Sequence, residues 1–113
     1  MATLKLDCQH NFRSATLEIF SGDRPVYETT LRGQEQGLGG LKIYQGRLQT
    51  SIEIPAGQHV LRVKVEGGGY EAEEEIGGSF AENGSKTLLI EFGKGSAFGV
   101  VERKLTLRWA VPR

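Results

Sequence analysis

From Gln58 to Glu66 the chain alternates strictly, with His59, Leu61, Val63 and Val65 at odd positions and Val60, Arg62, Lys64 and Glu66 between them. An extended strand sends successive side chains to opposite faces, so this spacing makes one apolar face and one mainly charged face. On a helix the two sets would mix around the circumference. A half-buried strand of this kind needs a second apolar layer, and the rest of the chain offers one with the same period. Leu4, Leu6 and Cys8 form one run, and Ala15, Leu17 and Ile19 a second. Tyr27, Thr29 and Leu31 follow after the turn-forming Ser21-Gly22-Asp23-Arg24-Pro25, which predicts a hairpin over 15–31. A further group runs from Leu41 through Ile43 and Tyr44 to Thr50, Ile52 and Ile54, closed by Pro55-Ala56-Gly57.

After Gly67-Gly68-Gly69 the period continues through Tyr70, Ala72, Glu74 and Ile76, where Glu74 places a carboxylate on the otherwise apolar side and marks an edge, a bulge or a changed register. Segments 86–92 and 102–109 complete seven or eight short strands. The 16 glycines fall mostly between these runs, and no apolar stripe repeats every three or four residues. The expected architecture is all-β: two antiparallel sheets packed on a shared core, with a small β-barrel as the competing closure. Residues 1–113 read as a single β domain, whether whole or excised from a larger protein.

Charge and cysteine content narrow the function classes. Fourteen Lys+Arg balance fourteen Asp+Glu, which argues against a general polyanion binder, so no nucleic-acid partner is expected. The single cysteine cannot close an internal disulfide. The first residues show no basic segment followed by an apolar run, and no stretch is apolar enough to span a bilayer, so membrane insertion is not expected. These features fit a soluble domain and leave its compartment open.

The segment Ile52-Glu53-Ile54-Pro55-Ala56-Gly57-Gln58-His59-Val60-Leu61-Arg62-Val63-Lys64-Val65, followed by Gly69-Tyr70-Glu71, resembles the core of PEGA-like and related immunoglobulin-like bacterial domains, with Pro55-Ala56-Gly57-Gln58 standing where a literal match would read Pro-Glu-Gly-Ala. The matching positions are Pro55 and Gly57, the strand residues Leu61, Val63 and Val65, and Gly69 with Tyr70. The resemblance implies an immunoglobulin-like β-sandwich that accompanies a cell-envelope, sensor-kinase or extracellular parent protein, with no catalytic set to transfer.

The chemistry-bearing residues offer little convergence. Cys8, His10 and His59 are too few for a structural zinc site with its four ligands, and the expected alternation points Cys8 into the core, so neither a metal nor a cofactor is expected. Glu71, Glu73, Glu74 and Glu75 form a dense acidic run that reads as a solvated strand face; a carboxylate- or metal-dependent enzyme is the least favoured alternative. Gly33-Gln34-Glu35-Gln36-Gly37-Leu38-Gly39-Gly40-Leu41 lacks the Lys-Ser/Thr ending of a phosphate loop and reads as a flexible inter-strand loop. Leu38 and Leu41 in it, with Tyr44 and Phe98, are the candidate contact residues. A carbohydrate-binding module is the alternative, with Tyr44 or Trp109 as the stacking platform; Tyr27, Tyr70 and Trp109 also fit inward alternation and core packing. The leading expectation is therefore a noncatalytic structural or protein-interaction module, contacting another protein or a neighbouring domain, or a second copy through an edge strand.

Overall fold

A computed structural model describes residues 1–38, 41–93, 96–97, 100–101 and 104–111, with side chains described for all of these except 36–38, 41–43, 96–97 and 100–101. Its strands are β1 (Ala2–His10), β2 (Ser14–Ser21), β3 (Arg24–Arg32), β4 (Gln34–Leu38), β5 (Leu41–Ile54), β6 (Gly57–Gly67), β7 (Tyr70–Phe80), β8 (Ser85–Phe92), β9 (Ser96–Ala97), β10 (Val100–Val101) and β11 (Leu105–Trp109). They make a five-stranded sheet in the order β11-β8-β1-β5-β4, a four-stranded sheet in the order β3-β2-β6-β7, and the small β9–β10 pair. All pairings are antiparallel except β1 with β8, which run parallel. The two sheets face each other as an immunoglobulin-like sandwich.

Period two decides which side chains meet. From the five-stranded sheet Ala2, Leu4, Leu6, Cys8, Ile54, Leu88, Ile90 and Phe92 are buried, and from the other sheet Ala15, Leu17, Ile19, Leu31, Leu61, Val63 and Val65. Burying each large aliphatic side chain is worth about 1.5–3 kcal/mol, which makes this interdigitated layer the main source of stability. At one end Phe12 closes the core by stacking on Phe92 with ring centroids 4.4 Å apart. Along one side Trp109 ties the sheets together: its indole N–H donates to the Gly77 carbonyl at 2.8 Å and its ring meets Phe80 edge-on at 5.7 Å.

Several segments lie differently from what their sequence pattern predicts. Residues 34–38, expected in a flexible loop, form β4 and pair with β5 from Gln34–Gln45 to Leu38–Leu41. Tyr70, expected to pack inward, is 48% exposed because β7 begins beyond the end of the core. Lys64 lies on the inner strand β6, and Glu73 on β7 at the sheet margin. Glu74 faces inward from that same edge strand, opposite Val63, with no break in register. An inward charge on an edge strand discourages unwanted strand pairing.

Candidate functional site

The sheet registers sort the connections to two ends of the sandwich. One end holds the start of β1, the 22–23 turn, Pro55 and the 81–84 turn. The opposite end holds the ends of β1 and β8 and both hairpins that leave the five-stranded sheet. β1 pairs with β5 only over 46–54, so the β4–β5 hairpin continues past the last rung, His10 with Gly46. Five further residue pairs give that arm a reach of roughly 17 Å. The second hairpin leaves between Phe92 and Leu105, which face each other at the same level, and contains the β9–β10 pair.

The base of the arms is fixed by close backbone approach. A Cβ at Gly46 would overlap the His10 ring and lie 2.6 Å from the Arg32 carbonyl oxygen, so only glycine lets β5 pass this point. His10 itself is buried, and its Nδ1 accepts the Phe12 N–H at 3.2 Å. Burial pushes the His10 imidazole below its usual pKa of 6.5. Because the unfolded chain takes up that proton first, the contribution is present near neutrality and is lost as pH falls below about 6.5.

Between the two hairpin bases lies an open cleft of about 490 Å³, lined by Gln9, Asn11, Gln45, Arg47, Glu91 and Gly93 among others. Gly93 adopts φ +80°, and its carbonyl accepts a 3.0 Å hydrogen bond from the Asn11 amide. A side chain at 93 would both strain the backbone and overlap that amide. Asn11 Oδ1 is buried with no hydrogen-bond partner among the described residues. Arg47 is held by Asp7 through two contacts of 2.8 and 3.0 Å. The bound guanidinium in turn holds the Asp7 carboxyl below its usual range.

The sequence candidates distribute around this end unevenly. Leu38 and Leu41 pair with each other at the described tip of the β4–β5 arm, and Tyr44 sits half-buried at its base opposite Glu35. Phe98 lies outside the described residues. Trp109 belongs elsewhere: three strands and about six residue levels separate it from Tyr44, roughly 24 Å, so the two cannot stack on one sugar ring. Its ring is engaged by Phe80 and by the Lys86 ammonium 5.5 Å from the ring centre.

The remaining chemical candidates do not converge. Cys8 is buried in the core and its thiol is pushed up to about 12, chiefly by desolvation. His10 and His59 occupy opposite ends of the sandwich. Among the described residues no group of three His, Cys, Asp or Glu could hold a metal ion. Glu71, Glu73 and Glu75 project from the outer face of β7, where Lys64 and Arg62 reach Glu71 and Glu73 at 3.1 Å. That face also carries Glu18, Glu28 and Glu66, so the outside of the four-stranded sheet is acidic and repels polyanions. Among the described residues no helix is long and apolar enough to cross a membrane.

Comparison with protein-family models, with curated proteins and with solved structures returned no match. The class of the chain is therefore set by its sheets: a small all-β sandwich with hairpin arms at one end.

Proposed function

We propose that this chain is a noncatalytic accessory module that binds a protein or a neighbouring domain through its hairpin end. The observation that carries the reading is the β4–β5 arm, a paired extension of β5 beyond its last rung with β1. A stable core gains nothing from extending a strand pair past its own layer, whereas a partner gains backbone edges and side chains to bind. The adjoining cleft supports the same end.

Residues Leu38, Leu41, Tyr44 and Phe98 are the proposed contacts. The resemblance of the 52–71 segment to PEGA-like bacterial domains supports an accessory role in a cell-envelope or extracellular parent. Self-association through β7 is disfavoured, because an antiparallel copy would set its glutamates against each other. A different partner fits better than a second copy.

A photoreactive amino acid at Leu38 or Tyr44, with Val60 as the control, tests the reading in an extract of the source cells. Val60 is 55% exposed on the outer face of β6 and far from the arms. The expected result is a discrete adduct from the arm positions, suppressed by excess unlabelled chain, and none from Val60. Equal capture at Val60, or no arm adduct, contradicts it.

A further inference from the structure

The end of the sandwich opposite the arms carries a different chemistry. Ser21, the last residue of β2, faces inward beside Leu61, and His59 lies two residues earlier on the same face of β6. The His59 Nε2 is 2.7 Å from the Pro55 carbonyl oxygen. A carbonyl only accepts, so in the neutral ring Nε2 carries the proton and Nδ1 the lone pair. That lone pair faces the Ser21 hydroxyl at 2.6 Å. The ring is further held edge-on against Phe80, with centroids 5.8 Å apart.

A hydroxyl within hydrogen-bond reach of an unprotonated imidazole, itself oriented by a third group, is the arrangement that activates a serine for covalent chemistry. Here the third group is a main-chain carbonyl. The pair opens into a cavity of about 390 Å³, also lined by Arg24, Glu53 and Pro55. Ser21 and His59 are both half-buried, so the hydroxyl is sheltered without being sealed.

We propose that Ser21 is an activated nucleophile that accepts a short acyl group from activated esters. In the step, the Ser21 oxygen forms a bond to the ester carbonyl carbon while its proton passes to His59 Nδ1. The bond from that carbon to the leaving oxygen then breaks, and the leaving group departs with the proton from His59. The products are a Ser21 ester and a free alcohol or phenol. Arg24 and Glu53 put one charge of each sign on the cavity wall, so the cavity fits small uncharged acyl groups. This acyl acceptor is a property separate from the binding end and does not depend on it.

The alternative is that the hydrogen bond only ties the end of β2 to β6, in which case Ser21 reacts no faster than the exposed Ser85. The test treats the full chain with 4-nitrophenyl acetate at neutral to mildly basic pH and locates acetyl groups by peptide mass spectrometry. Neutral hydroxylamine removes serine esters and spares lysine amides, which separates the two adducts. The expected result is selective acetylation of Ser21, reduced on the order of 10²-fold by His59→Gln, in keeping with the usual contribution of a general base. Thermal melting followed by the fluorescence of Trp109 checks that the variant is folded. Wild-type chain unfolded in urea should lose the selectivity for Ser21. Acetylation of Ser21 at the rate of Ser85 in the native wild-type chain, or a rate unchanged in folded His59→Gln, overturns the proposal.

Discussion

Cys8 is expected to react with a thiol reagent on the order of a thousandfold more slowly in the native chain than in the unfolded one at mildly basic pH. The thiolate is the reacting species, and desolvation between the two sheets pushes the thiol from its usual 9.0 to about 12. Three decades in pKa translate into roughly three decades in thiolate population at a pH below both values. Enclosure adds to this, since Cys8 is fully buried. The measurement is the labelling rate with and without denaturant. Rapid stoichiometric labelling of the folded chain would place Cys8 outside the core and reopen a nucleophilic role for it. The same shift has a consequence for stability. A group whose pKa is raised by folding contributes fully below its unfolded value, so the contribution persists up to about pH 9 and is lost as pH rises from there towards 12.

Leu61→Ala is expected to lower the unfolding free energy by about 3 kcal/mol, within the usual range for a fully buried leucine. Leu61 has no exposed surface and lies on β6, which is paired on both sides, by β2 and by β7. In a chain of this size such a loss corresponds to a fall in melting temperature of roughly 10 °C. Val60, one residue away, is 55% exposed on the other face, and its replacement by alanine should stay within about 0.5 kcal/mol. The pair separates a two-faced strand from any other local structure. Equal effects at 60 and 61 in denaturant melts would contradict the alternation on which the fold is built.

Much of this fold was legible because burial imposes a period. Wherever a strand packs one face on the core, as β1, β2, β6 and β8 do, every second residue is apolar and the strand shows in the sequence. Glu74 was legible as an irregularity for the same reason, and it lies on an edge strand. β4 left no such trace: 34–38 pairs with β5 beyond the last rung of β5 with β1, and Gln34-Glu35-Gln36-Gly37-Leu38 carries no apolar alternation, so it reads as a loop. Tyr70 misled in the opposite direction, because the period runs on past the end of the apolar layer. The parallel pairing of β1 with β8 was not legible either, since alternation fixes which face is buried and not which strand lies alongside.

The candidate site was legible in composition and not in arrangement. Leu38 and Leu41 stood out as apolar residues among glycines, but only the rungs of β1, β5 and β8 show that the hairpin carrying them leaves the same end as the one between β8 and β11. Ser21 and His59 lie 38 residues apart, and the register of β2 against β6 is what brings them together. Asn11 gave no signal at all, because its role depends on the positive φ of Gly93 far along the chain.

The division of the molecule into a folding core and a binding arm is tested most directly by arm removal. Residues 36–43 are replaced by a two-residue Asn-Gly turn joining Glu35 to Tyr44, and the folded product is used as competitor in the photocapture experiment. The trimmed chain is expected to fail as a competitor by at least about tenfold, because it keeps every buried core residue named above while the arm tip, with Leu38 and Leu41, is gone. Competition as strong as that of the intact chain would show that the partner binds elsewhere, and would contradict the account.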